Sequence, residues 1–224
     1  MDALALWLFG FFCGSIPFAV LIGNYGIHKE IRGYGDGNPG AFNVIRAGGL
    51  AWGGLAVLLD VTKGALPVGL ATYIVGIEGV PLVLICLASP LGHAFSPFLR
   101  FKGGKAIASV FGVLIGLTLW ELTLVGILML PYWYFALTAS GWAVMFTAAS
   151  LLFYVLLAQS NPVWVTVVVL LTLLLAQRHR EELTQPPHFK MSPLLRPVLR
   201  LLFSSSEFTR ASTDSVHHGG TDRH

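Results

Sequence analysis

A succession of apolar runs, among them 151–157 and 163–176, constrains this chain more than any other feature. Several of its apolar segments approach the ~20 residues that an α-helix needs to cross a bilayer. Backbone groups in hydrocarbon must find partners within the chain, so runs of this length imply helices. Strand alternation is absent, which excludes a barrel. Charged residues make up only 11% of the 224. A soluble domain carries about 25%, so this chain lacks the charge to cover a water-facing surface. The pattern predicts an all-α integral membrane protein of about seven transmembrane helices, over 3–24, 51–76, 80–92, 105–120, 122–140, 142–158 and 161–177. The third and fourth are short for a full crossing and call for tilt, local thinning of the bilayer, or a re-entrant segment. The first segment follows Asp2 rather than lysines, so it reads as a retained span and not a cleaved leader.

The basic residues fall in order. Lys29, Arg32 and Arg46 follow the first span; Arg100, Lys102 and Lys105 lie near the third loop; Arg178, Arg180 and Lys190 follow the last span. The other face carries Asp2, Glu78, Glu121 and Asn161. An excess of Lys and Arg marks the cytoplasmic side. The expected topology therefore has the N-terminus outside and the C-terminus and motif loops in the cytoplasm. A net charge of +3, clustered rather than striped, gives no reason to expect nucleic acid. Cys13 and Cys86 sit in apolar runs as small packing residues. Residues 1–190 read as the membrane domain, 191–203 as an amphipathic basic segment for the lipid surface, and 204–224 as a disordered polar tail. His217 and His218 read as part of that solvated tail, and no metal site is expected.

Two loops on the basic face carry candidate chemistry. The first contains Gly33, Gly35, Gly37 and Gly40, with Asn38, Asn43 and Arg46. Glycines let backbone amides turn toward an anion, and a guanidinium forks onto phosphate; a flexible connector is the alternative. The second runs through His93 to Lys102-Gly103-Gly104-Lys105, at the expected start of an apolar helix. A helix N-terminus attracts anions, whereas simple positive-inside topology explains the lysines equally. The P-loop pattern is missing. Asp60 and Lys63, three residues apart in an apolar run, share one helix face. Charges at that depth are paired or functional: they either tie helices together or touch substrate. Arg178-His179-Arg180-Glu181-Glu182 reads as an interfacial charge cluster. Thr147 and Ser150, just inside a helix, are of a type that usually bonds its own backbone.

Taken together, Gly14-Ser-Ile-Pro17, Gly37-Asn-Pro-Gly-Ala-Phe-Asn-Val-Ile-Arg46, Asp60-Val-Thr-Lys-Gly64, Gly92-His93, Phe101-Lys-Gly-Gly-Lys105 and Arg178-His-Arg-Glu181 resemble the acyl-phosphate-dependent glycerol-3-phosphate acyltransferases of bacteria. The likeness runs over about residues 10–182. It implies a seven-span protein of the bacterial plasma membrane that moves a fatty acyl group from acyl phosphate to glycerol-3-phosphate. The product is lysophosphatidic acid, in the first step of phospholipid synthesis, with neither cofactor nor metal. It also implies that Asp36, Gly37, Asn38, Gly40, Asn43, Arg46, Gly103, Gly104 and Lys105 surround the phosphates, with His179 at the glycerol end. His93 and Thr147 would stand near the reacting groups with Arg46 and Lys105.

The chain departs from the family pattern at particular places. Asp36 stands where Ser is usual, and a carboxylate there repels phosphate unless a cation such as Lys102 or Arg46 pairs with it. Phe42 replaces Thr, Ala106 replaces Gly, and Thr147 replaces Ser. Glu182 stands where the family has Asn, and the remainder of that last motif is altered through Met191. Three rival expectations follow: a paralogue acylating another polar acceptor, a non-catalytic subunit, and a transporter of anions or lipid phosphates.

Overall fold

The computed structural model describes residues 2–159 and 161–190. The expectations for 191–203 and 204–224, with His217 and His218, lie outside the described residues. The helices form one compact unit, Met1–Pro187; of a second unit, His188–His224, only residues 188–190 are described.

The chain is all-helical. In order it runs α1 (Ala3–Ser15), α2 (Phe18–Leu21), α3 (Ala41–Gly48), α4 (Leu50–Gly69), α5 (Gly79–Ala94), α6 (Ile107–Thr118), α7 (Glu121–Ala136), α8 (Ser140–Tyr154) and α9 (Pro162–Arg178). Four apolar stretches are long enough to cross a membrane: Ala3–Gly26, Leu50–Val75, Gly79–Leu99 and Ser140–Gln159. The helices α6, α7 and α9 are apolar but shorter. At ~1.5 Å per residue, the 12 residues of α6 reach only about 18 Å, against a hydrocarbon core of ~30 Å. Each predicted run overlaps these helices, the first covering both α1 and α2 and the second running past the end of α4. The ends differ where local backbone decides them. The fourth run starts at Ile107 rather than 105, because Ala106 adopts φ +64°. The fifth stops at Ala136, short of 140, where Leu137 turns extended.

Pro17 sets the shape of the first span. Proline lacks an N–H and its ring clashes with the preceding turn, so α1 ends at Ser15 and α2 begins at Phe18. The freed carbonyls acquire partners from elsewhere: Ile16 O accepts from Lys63 Nζ at 2.9 Å, and Ser15 O accepts from Ser96 Oγ at 2.5 Å. The break thus anchors α4 and the α5–α6 loop to one point.

Small residues bring the helices together, the usual device where lipid removes the hydrophobic drive to associate. A Cβ at Gly14 would lie 2.3 Å from Ser89 O, and one at Gly92 would lie 2.2 Å from Phe11 O, which locks α1 to α5. Gly64 and Gly112 do the same between α4 and α6. Leu6, Ile85, Val113, Leu122, Val155 and Val167 fill the core so formed. A second small core, built on Ile31 and Val44 with Ala19 and Val20, seats α3 against α2. It buries Val44 and Ala47 and turns Phe42 and Arg46 outward.

Candidate active site

Three segments that follow α2, α5 and α9 meet at one end of the helices, and Lys105 joins them. Its Nζ lies 2.6 Å from Asp36 Oδ2 and also donates to Glu182 Oε1. The partner of Asp36 is therefore Lys105, not the expected Lys102 or Arg46.

Asp36 organises the first loop. Its Oδ1 accepts from the Asn38 amide at 3.2 Å and from Asn43 Nδ2 at 3.0 Å. Asn43, buried, also donates to Asn38 O at 2.9 Å and accepts from Arg46 Nη1 at 2.8 Å. A Cβ at Gly35 would fall 1.9 Å from that Nη1, so this glycine makes room for the guanidinium. The amides of Gly37 and Gly40 close turns onto Tyr34 O and Asn38 O. In this structure these glycines shape the loop, and the part-exposed side chain of Asn38 and the exposed one of Arg46 are what it presents.

The second loop also spends its glycine amides on backbone. Gly103 N donates to Ala94 O and Gly104 N to His93 O, so neither amide is free at a helix start. Their carbonyls accept from Arg178, at 2.6 Å from Nη2 to Gly103 O and 3.1 Å from Nε to Gly104 O. Arg178 also lies over the Phe95 ring. It is thus a brace between α9 and the Lys105 loop, more than a member of an interfacial cluster.

Ser140 and Glu182 complete the site; the sequence placed Glu182 only in a charge cluster and at a departure from the family pattern, and did not single out Ser140. Ser140 Oγ donates to Glu182 Oε2, while Glu182 Oε1 holds Lys105. A Cβ at Gly141 would lie 2.8 Å from Glu182 Cβ, so α8 starts hard against this residue. His179 is buried, with Nδ1 2.8 Å from Leu175 O. Thr147 is buried in α8 and donates to Ala143 O one turn back, as hydroxyls inside helices commonly do. The signal for Ser140 lay in its position at a turn on the basic face.

Burial, the largest single contribution, raises the carboxyls of Asp36 and Glu182, but the hydrogen bonds and charge of Lys105 together with bonds from Asn38 and Asn43 or from Ser140 outweigh it, and both pKa values fall below their ordinary values. Burial alone lowers Lys105, but the two carboxylates outweigh it and hold the ammonium above its ordinary value. The triad is fully ionised and carries a formal charge of −1.

A second polar cluster lies deeper. Lys63 Nζ is 2.7 Å from Asp60 Oδ1, three residues apart as expected, and the carbonyl at the helix break fixes it. His93 Nδ1 is 3.7 Å from the same oxygen. On the other side of the imidazole, a Cβ at Gly104 would sit 2.3 Å from Nε2. A small cleft beneath the loops is bounded by Pro17, Pro39, Lys63, His93, Ser96 and Gly104. Among the described residues, no group of three His, Cys, Asp or Glu side chains is placed to hold a metal ion.

Beside this cluster an apolar groove runs between α4 and α6, from Val61 and Thr62 past Ala65, Gly69 and Tyr73 to Ile74.

Known proteins resemble this chain in sequence and in fold. The family model of glycerol-3-phosphate acyltransferase matches residues 4–186. The glycerol-3-phosphate acyltransferase of Pectobacterium carotovorum (strain PC1) is 36% identical over 186 residues, covering 82% of this chain and 85% of the relative. That of Yersinia pestis (strain Pestoides F) is 36% identical over 184 residues, covering 81% and 82%. Among solved structures, PlsY (YgiH), an integral membrane glycerol 3-phosphate acyltransferase in its glycerol 3-phosphate form, superposes with a TM-score of 0.74. Sequence identity is 30%, with 90% of this chain and 99% of that one covered. The lysophosphatidic acid form gives 0.72 at 30% identity, covering 81% and 89%. With the family model spanning nearly the whole described fold, this chain is a multi-pass integral membrane member of the glycerol-3-phosphate acyltransferase family.

Proposed function

We propose that this protein transfers a fatty acyl group from acyl phosphate to the 1-hydroxyl of glycerol-3-phosphate, giving lysophosphatidic acid and inorganic phosphate. The observation that carries this reading is the convergence of the Arg46 loop, with Asn38, and the Lys105 loop, which Arg178 braces, at the end of an apolar bundle. Both substrates bring phosphate to the site, and one brings a long apolar chain. Cations and amide donors suit the first, and a lipid-facing groove suits the second. Acyl phosphate carries a good leaving group, so the main requirement is to hold the hydroxyl against the carbonyl and to stabilise charge developing on oxygen.

In this reading Arg46 and Lys105 take the phosphates, and His93 faces the reacting groups from the cleft below. Asn38 orients the first phosphate, Asn43 holds Arg46 in place for it, and the glycines at 37, 40, 103 and 104 keep the loops close enough to reach it. His179 sits behind Glu182 at the acceptor end. The substrate's own phosphate accepts the hydroxyl proton. The acyl chain lies in the α4–α6 groove; from Val61 to Ile74 the helix rises about 20 Å. The three shorter apolar helices complete seven crossings, with the basic loops on the cytoplasmic face of the bacterial inner membrane.

The test supplies purified protein in vesicles with long-chain acyl phosphate and a panel of polar acceptors, without coenzyme A. Lysophosphatidic acid from glycerol-3-phosphate is the expected product. No product above background from a folded protein would sink the reading. Turnover with a different acceptor alone would favour a paralogue, the second reading, which the two carboxylates on Lys105 support. Asp60 and Lys63 are bonded to each other and to the helix break rather than strung along a path, which weighs against a transporter.

A further inference from the structure

Asp60 is a buried carboxylate with few partners. Its side chain is 3% exposed, and Lys63 Nζ stands 2.7 Å from Oδ1. That contact balances charge, yet Oδ1 receives no well-directed hydrogen bond. A buried polar atom in this state calls for an explanation. The next group within reach is His93, whose Nδ1 lies 3.7 Å from the same oxygen. This is too long for a hydrogen bond, but contacts of this kind tighten when substrate arrives. A neutral imidazole carries one N–H. Beside a carboxylate that proton sits on Nδ1, which leaves Nε2 with a bare lone pair. Nε2 faces Gly104, where the missing side chain leaves space. The cleft bounded by His93, Gly104, Ser96 and Pro39 has a volume of about 10 Å³, room for roughly one hydroxyl or water. Gly104 precedes Lys105 and Pro39 follows Asn38, so the cleft lies against both loops of the proposed phosphate site.

We infer that Asp60 is a positioning residue that sets His93 Nε2 as a hydrogen-bond acceptor in this cleft, and that Nε2 reads the second hydroxyl of the acyl acceptor. This rests on the reaction proposed above. There the acyl carbonyl and the dianionic phosphates only accept hydrogen bonds, and the attacking hydroxyl gives its proton to phosphate. The 2-hydroxyl of glycerol-3-phosphate is then the one donor left on either substrate. An acceptor held by its phosphate at Lys105 brings its carbon chain past Gly104, beside Nε2. A buried acceptor atom left without its partner costs more than the bond itself contributes. The pair therefore discriminates against an acceptor that lacks this hydroxyl. Lys63 also donates to Ile16 O at 2.9 Å, so the carboxylate that orients the imidazole is tied to the helix break.

The test compares glycerol-3-phosphate with 3-hydroxypropyl phosphate, which lacks only the 2-hydroxyl, each with long-chain acyl phosphate. The wild-type protein is expected to prefer glycerol-3-phosphate by roughly ten- to hundred-fold in kcat/KM. Asp60→Asn keeps volume and an oxygen for Lys63 but turns an amide N–H toward His93, which moves the imidazole proton to Nε2. The preference is expected to fall to within roughly three-fold, chiefly by loss with glycerol-3-phosphate. His93→Phe gives the same loss. Asp60→Asn added to it changes the ratio no further, because Asp60 acts through His93. Asp60→Leu/Lys63→Met removes the carboxylate without stranding a charge and serves if Asp60→Asn does not fold. An unchanged ratio in a folded Asp60 variant overturns the inference. So does an additive loss in the Asp60→Asn/His93→Phe protein, since a purely structural carboxylate lowers turnover with both acceptors alike. If the wild-type protein acylates neither acceptor, the acyl-transfer reading fails by itself. The pair is then tested by nitrogen NMR of labelled histidine, which is expected to place the His93 proton on Nδ1 in the wild type and on Nε2 in Asp60→Asn. The same tautomer in both proteins overturns the role given to Asp60.

Discussion

The protein contains two lysine–carboxylate assemblies, and their surroundings give them different work. Lys63 and Asp60 are 4% and 2% exposed, and Lys63 ends on the backbone carbonyl that Pro17 leaves without a helix partner. Nothing short of unfolding separates them, because each would then be a bare charge inside an apolar bundle. Lys105 and Asp36 sit at the rim, where water and ligands compete for the same bonds; the side chain of Asp36 is 46% exposed. The same pair of functional groups lies buried against a helix break in one place and open to water in the other. Burial, not residue type, makes the difference.

The largest expected effect breaks the inner assembly. Lys63→Ala leaves Asp60 buried and without its ammonium partner, so it costs about 3–5 kcal/mol of stability. Thermal unfolding in detergent measures this. The double variant Asp60→Leu/Lys63→Met, which removes both charges and keeps volume, recovers most of the loss. If the single variant melts like the wild type, the inner pair is not structural and the contrast collapses.

At the rim the pattern reverses, with activity lost and stability kept. Lys105→Ala and Arg46→Ala each lower kcat/KM by ~10²–10³-fold, the effect of removing one donor that stabilises developing charge. Both leave the melting temperature nearly unchanged. A melting-temperature drop as large as that of Lys63→Ala would make Lys105 structural as well.

Gly104 lies where the two regions touch. Alanine there puts a methyl 2.3 Å from His93 Nε2, with the glycine's own amide bonded to His93 O. The imidazole or the loop must move, at about 1–3 kcal/mol. Gly104→Ala is expected to lower kcat and stability together, unlike either class above. Gly69→Phe sharpens the contrast from the lipid side. A Cβ at Gly69 meets only Gly116 Cα, at 3.9 Å, so the backbone accepts a side chain that then fills the groove. Preference shifts toward shorter acyl phosphates, by roughly ten-fold in relative kcat/KM, with acceptor KM unaffected.

How much of this was legible beforehand follows the same division. The apolar runs located the helices, because hydropathy over a dozen or more residues is a local property. The i,i+3 spacing gave the Asp60–Lys63 pair, because a helix fixes its own neighbours. The rim was legible only in part. Arg46, Asn43 and Lys105 were found by residue type, but their partners were not. Ser140, Glu182 and Arg178 reach the site through tertiary packing of α8 and α9, which no spacing encodes. The glycines show the limit most clearly. Their abundance suggested amides aimed at phosphate, whereas at Gly103 and Gly104 the amides bind backbone and the missing side chains are what matters.

Acidity and alkalinity separate the regions by the smallest effect. Lys105 faces Asp36 and Glu182 directly, with Arg178 and His179 beside them. The carboxyl pKa values are lowered in the fold, so what they contribute is present above the ordinary carboxylate range and is lost as pH falls through those lowered values. Lys105 is raised, so its contribution holds below the ordinary lysine range and is lost as pH rises through the raised value. Burial lowers His179, with Leu175 O and Glu182 opposing, so stability also begins to decline as pH falls through the ordinary imidazole value of about 6.5. The melting temperature is therefore expected to hold a plateau from about pH 7 to about pH 10. Acid loss comes in two stages, imidazole first and carboxylates later. Asp36→Asn and Glu182→Gln remove part of the second stage and leave the first, whereas His179→Gln does the reverse. Two variants that shift the same stage would mean that the rim unfolds as one piece with the bundle and has no exchangeable bridge of its own.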